Sequence, residues 1–211
     1  GSRFENIKFQ NNYFDRADFI GSTFINCQFI NVNFGACEMK SCFFVDSVFE
    51  HCVFDNTSIQ ESSFQKCILK KQHILVNMKN CEMKFSQIHD CTFERSTTEK
   101  IEFESCLLEN VDFATMHAEC HKFIDCELNN VKLGISYVFS YLLCNTSIKD
   151  FQVLYRGKEV SLNSQEEAMK FLEESRTYEL INIFFIYRGF DKIPQLLDKI
   201  LKYLYNNYNP A

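Results

Sequence analysis

His117, Cys120, His121 and Cys126 fall within one ten-residue stretch. Imidazole and thiolate are common zinc ligands, and a thiol beside an imidazole is also the pair that makes a cysteine nucleophile. Both chemistries need side chains that converge on one point. A second group is the carboxylates Glu94, Glu99, Glu102, Glu104, Glu109 and Glu119. They lie between Asp90 and Glu127, where ten acids stand against Arg95, Lys100 and Lys122, a net charge of −7. A band of that sign repels nucleic acid and suits a basic protein surface. What either group can do depends on the elements that carry it.

Those elements show themselves by their period. Phe4, Phe9, Phe14, Phe19, Phe24, Phe29, Phe34, Met39, Phe44, Phe49, Phe54, Ile59, Phe64 and Leu69 are spaced five residues apart. Two places before most of them sits a smaller side chain, as in Ala17, Ser22, Cys27, Val32, Cys37, Cys42 and Ser47. A period of five matches neither the alternation of a strand nor the 3.6 of a helix, so the chain must be re-aimed once per unit. If the large residue and the one two before it both point inward, the other three residues of the unit face water and turn the corner. A fixed period of this kind marks a repeat protein. After Ile74 the series resumes one place early at Met78 and runs through Met83, Ile88 and Phe93 to Leu143 and Ile148. One residue is missing between Ile74 and Met78, which reads as a register shift inside one array. Thr98 and Ala118 are too small for an interior slot, and the coil is expected to bulge or loosen there.

In units such as Ala17-Asp18-Phe19, Cys27-Gln28-Phe29, Val32-Asn33-Phe34 and Val111-Asp112-Phe113, the chain resembles the pentapeptide-repeat proteins, over roughly residues 4 to 153. The resemblance implies that four units make one square coil and that the coils stack as a right-handed quadrilateral β-helix. The expected fold class is an all-β solenoid of this kind, of roughly seven coils at ~4.8 Å per layer, with a small C-terminal α-helical hairpin. Residues 3–153 would form the solenoid and 154–211 a closing hairpin with a two-helix cap or docking segment.

On this frame the chemistry thins out. His121 and Cys126 become inward slots on adjacent faces, whereas His117 and Cys120 are outward or corner positions, so zinc ligation is not expected. Nine of the eleven cysteines occupy the inward small-residue slot. There a thiol is a compact apolar filler of raised pKa and low reactivity, as suits a reducing compartment. Cys106 and Cys126, twenty apart, should stack in adjacent coils at a separation that a disulfide could span. The chain lacks a P-loop, a Gly-rich dinucleotide turn, a GxSxG elbow and a HExxH helix, so neither catalytic residues nor a cofactor are expected. It also lacks an apolar run near 18 residues and a signal peptide, which points to no membrane and to a cytoplasm, its own or a host's in the case of a secreted effector. Gly1-Ser2 reads as a remnant of expression. The repeat then begins at once, and its open edge is expected to be covered by a partner or by residues upstream.

Past Val153 the pattern changes. Phe151 to Leu162 reads as a hairpin turning at Arg156-Gly157-Lys158, and Ser164 with Glu167 as a capping box. A helix is expected from about Gln165 to Arg188, ending at Gly189, and a second from Pro194. Leu180, Ile181, Phe184, Phe185 and Tyr187 make the first helix apolar on nearly every side, more than one coil end can bury. They are the candidate dimer or domain-docking surface, and the resemblance to topoisomerase-protecting members implies dimerisation through these helices.

Three functions follow from this reading. The first is a non-catalytic scaffold that binds a protein partner or a neighbouring domain. The second, implied by the resemblance, is a DNA-mimicking modulator of a type II topoisomerase such as DNA gyrase, acting through the acidic band. Against it, Glu94, Glu99, Glu104 and Glu109 girdle one coil, whereas a mimic needs a stripe at spacing 20. The third is the recognition domain of a larger bacterial effector similar to HECT-like ubiquitin ligases. Direct nucleic-acid binding is disfavoured by the charge.

Overall fold

The computed structural model describes residues 1–72, 74–93, 95–135 and 141–175. The chain divides into two compact units, Gly1–Met169 and Lys170–Ala211. The first is a β-solenoid in which the parallel strand residues find their neighbours in the next coil nineteen or twenty positions on. Phe4, Phe24, Phe44 and Phe64 stand in register on one face, followed by Met83, Phe103, Phe123 and Leu143. That face is a parallel sheet of eight strands, and so of eight levels. A second face carries Phe9, Phe29, Phe49, Leu69, Ile88, Leu108 and Leu128 in a ten-stranded sheet. The fourth, with Met39, Ile59, Met78, Thr98 and Ala118, is a five-stranded sheet. The third face begins as single bridges, Tyr13 to Asn33 and Asn33 to Val53. It is later bonded by strands that run round the corner, Leu107–Phe113 and Glu127–Ile135.

The square comes from one backbone choice made once per unit. Two residues after most of the large inward side chains the chain turns left-handed, as at Asn6 (φ 56°), Asn31 (φ 53°), Asp90 (φ 52°) and Asn130 (φ 51°). Asn and Asp tolerate that region better than other L-residues, and they hold 13 of the 26 non-glycine left-handed positions described. Their side chains also bond along the rod. Asn26 donates its amide to Asn6 at 2.7 Å, Asn130 to Asn110 at 2.9 Å and Asn110 to Asp90 at 2.9 Å.

Inside, the phenylalanines stack between coils and meet edge to face within a coil. Phe24 and Phe44 lie 4.9 Å apart at 5°, Phe29 and Phe49 4.7 Å apart at 12°, while Phe24 and Phe29 cross at 70°. Each such pair contributes roughly 0.5–1.5 kcal/mol beyond its area burial. The smaller inward slot does more than fill space. Cys27 donates its N–H to Ser47 Oγ at 3.1 Å, Cys42 to Ser62 Oγ at 3.0 Å and Cys67 to Ser86 Oγ at 3.1 Å. Ser47 in turn donates to the Val45 carbonyl at 2.9 Å. All eleven cysteines are free thiols, nine of them buried and Cys120 and Cys144 exposed.

The missing residue is a corner. Asn56 N–H still reaches the Leu75 carbonyl nineteen residues on, as at the other corners, but Glu61 N–H reaches Lys79, eighteen on. From Thr57↔Val76 to Lys70↔His89 the register is 19. The left-handed position between the third and fourth faces has been dropped, so Leu75 alone joins inward Ile74 to inward Val76. Just upstream, buried Gln72 accepts the Cys52 N–H at 2.7 Å and donates to the Lys70 carbonyl at 2.8 Å. Thr98 and Ala118 leave the ladder unbroken, contrary to the expected bulge. Larger neighbours compensate for them: Met116 and His121 are buried beside the short side chains. What remains is a cavity of about 10 Å³, lined by Met78, Met83, Thr98, Met116, His121 and Tyr141 among others. A space of that size holds one water at most.

The last coil is closed by an antiparallel hairpin, Phe151–Tyr155 with Lys158–Leu162, whose turn residues Arg156 and Gly157 are both left-handed (φ 51° and 75°). Both signs suit a type I′ turn. A helix follows over 165–175. Ser164 Oγ accepts the Glu167 N–H at 3.1 Å at its start. Gln165 and Met169 then plug the end of the coil, taking the Thr146 N–H at 2.6 Å and the Leu143 N–H at 3.3 Å. The expected continuation of this helix to 188 and the second helix from Pro194 lie outside the described residues.

Candidate functional site

With the interior committed to packing, the outward lattice is where the molecule can meet others. Three positions per unit point out, and each is held by a parallel ladder on both sides. Their side chains therefore form columns along the rod, in which charges of opposite sign meet. Lys79 Nζ lies 2.6 Å from Glu99, Lys84 3.1 Å from Glu104 and 3.4 Å from Glu82, and Lys122 3.2 Å from Glu102. His89 Nδ1 is 3.1 Å from Glu109. Lys100 adds a second contact to Glu99 at 3.0 Å. Hydrogen bonds donated by Lys79 and then Lys100 hold the Glu99 carboxyl below its ordinary range, and those that Lys84 donates to Glu104 and Glu82 hold its ammonium above its own. These are exposed pairs, each worth little alone.

The predicted acidic surface is thus spread over three faces. Glu102 and Glu104 flank the first face, Glu109 the second, and Glu99 the fourth, where its backbone is in register with Glu119. Glu94 and the Glu119 side chain lie outside the described residues, as do Leu180, Ile181, Phe184, Phe185 and Tyr187.

His117, Cys120, His121 and Cys126 do not converge. His121 is 2% exposed, whereas His117 and Cys120 face solvent, Cys120 from a left-handed corner (φ 58°). His121 Nδ1 accepts the Ile101 N–H at 3.2 Å, so the proton sits on Nε2, which donates to Thr98 Oγ1 at 2.7 Å. The Thr98 hydroxyl faces the His117 carbonyl at 3.4 Å. Both ring nitrogens are spent, and burial pushes the imidazole down to about 4. Among the described residues no three of His, Cys, Asp and Glu are placed to hold a metal ion. Four of the buried thiols are poor nucleophiles for the same reason: burial pushes Cys67 and Cys91 up to about 12 and Cys52 and Cys81 to about 11. No helix among the described residues is long and apolar enough to cross a membrane.

Two outward phenylalanines escaped the sequence reading. Phe43 is 50% and Phe85 52% exposed. Their signal was an aromatic ring at an outward position of the five-residue unit.

The repeat unit has a counterpart among known families. The family model described as pentapeptide repeats (8 copies) matches residues 1–35. Among solved structures, the chain is similar to trypsin-treated QnrB1, a plasmid-mediated fluoroquinolone resistance protein, at 16% identity over 70% of this chain and 90% of that one, with a TM-score of 0.39. It is similar also to HetL, a pentapeptide repeat protein involved in heterocyst differentiation regulation in the cyanobacterium Nostoc sp., at 9% identity over 71% and 73% of the two chains, TM-score 0.34. Likeness at this level carries nothing about function. No curated protein sequence matches the chain.

Proposed function

We propose that this chain, a pentapeptide-repeat protein, is a non-catalytic interaction scaffold that displays side chains on a fixed lattice to a protein partner. The observation that carries this reading is the division of labour across the coil wall. Inward positions are consumed by phenylalanine stacks and by Ser, Thr, Cys and Gln columns that satisfy backbone groups of the next coil. Outward positions are held at a repeat of nineteen or twenty residues by ladders on either side. A surface so rigid loses little entropy on binding, and the inward side chains described are taken up by packing and by backbone hydrogen bonds.

The acidic route to a type II topoisomerase is the weaker form of this reading. Glu99, Glu102 and Glu104 spend their charge on Lys79, Lys122 and Lys84 rather than presenting it, and Glu109 is hydrogen-bonded to the His89 ring. A photo-crosslinking residue placed in native cells at Gln28, Ser58, Glu104 or Asp112, one per face, tests the scaffold reading. The expected result is a discrete protein adduct from at least one face. Absence of an adduct from all four faces would overturn it.

A further inference from the structure

The corner between the first and second faces carries an apolar patch that the fold does not need. On the first face Phe43 stands between Thr23 and Ser63, and Val45 beside Ile25. Round the corner at Asp46, Val48 stands beside Ile68. Phe85 occupies the same corner column two levels up, following Asp46 and Lys66. Phe43 and Phe85 are each about half exposed, the others partly so.

Two further observations say that the patch has a use. Phe85 is left-handed (φ 54°) at a position where Asn and Asp dominate, and it is the one phenylalanine among the described left-handed residues. A bulky ring held in that region is a strained choice, and strain of this kind is retained where it serves a site. The second observation is charge. Lys71, Lys79 and Lys84 reach carboxylates. Lys66 and Lys70, on either side of Ile68, have no ion-pair partner among the described residues.

We propose, on the scaffold reading above, that this corner docks an acidic amphipathic segment of a partner protein. Large aliphatic or aromatic side chains of that segment cover Phe43, Val45, Val48, Ile68 and Phe85, and its carboxylates meet Lys66 and Lys70. A second copy of this chain fits less well, since an isologous contact sets the two lysines against themselves.

The test is selection of random peptides of about 16 residues, displayed on phage, against the full chain. The enriched peptides are expected to be net negative with at least three large apolar residues, and to bind the F43S/F85N double variant about tenfold more weakly or worse. Phe85→Asn alone should leave the melting temperature unchanged or raise it, since Asn suits the left-handed corner. A lowered melting temperature would make Phe85 a structural residue and overturn its anchoring role. Neutral or basic enriched peptides, or peptides that bind the double variant equally, would overturn the patch while leaving the scaffold standing. No enrichment at all would overturn both. Binding of phosphatidylserine vesicles that is lost in the double variant would assign the patch to a lipid surface and overturn the peptide proposal.

Discussion

The Nε2–H of His121 donates to the hydroxyl of Thr98, twenty-three residues earlier, at 2.7 Å. This bond fills the space that a short Thr98 side chain leaves in the core, and it buries an imidazole in its neutral form. The unfolded ring titrates near 6.5, and burial brings the folded value down to about 4. The unfolded chain therefore binds the extra proton between those values. The stability due to His121 is complete above about pH 6.5 and is lost as pH falls toward 4, by about 3 kcal/mol over the window. His121→Gln keeps an acceptor for the Ile101 N–H, as Gln72 does for Cys52. Urea titrations at pH 7 and 4.5 should show the wild type losing about 2–3 kcal/mol more than the variant between the two. Parallel pH profiles would remove the assignment.

Thiol labelling reads the inward slot. At pH 7.5 a maleimide should modify Cys120 and Cys144 quickly and the nine buried thiols only after unfolding. Mass spectrometry of the native protein is expected to show two adducts. Rapid labelling of Cys67 or Cys91, which burial holds up near 12, would contradict their placement.

Phe54 stacks on Phe34 at 5.1 Å and leans on Phe49 at 6.1 Å. Phe54→Ala should cost roughly 3–5 kcal/mol in chemical denaturation, because the coils above and below hold the emptied slot open. Glu104→Ala, which removes an exposed partner of Lys84, should cost under about 0.5 kcal/mol. Similar losses for the two would show that inward and outward positions are misassigned.

The paired glutamates predict a negative result with a topoisomerase. At micromolar concentration the full chain should leave gyrase supercoiling unchanged. Inhibition that tracks stoichiometrically with the chain and weakens in Glu99→Gln and Glu102→Gln would favour DNA mimicry over the corner patch.

The five-residue series determined the inward and outward faces, the burial of nine cysteines and the place of the missing residue, because each of these follows from side-chain direction along one strand. Even the separation of His117 and Cys120 from His121 was readable in this way. The vertical neighbours were not, since they depend on how many residues each coil holds. With the corner between Leu75 and Val76 one residue short, Ile68 sits beside Gln87 and the corner above Lys66 is Phe85 rather than Ser86. That one-residue difference keeps Ser86 inward, where it accepts the Cys67 N–H, and turns the ring of Phe85 to solvent. The tertiary structure also decided which carboxylate each lysine meets and that Met116 and His121 fill the space beside Thr98 and Ala118. Stacking couples positions nineteen or twenty residues apart, and no local pattern specifies which.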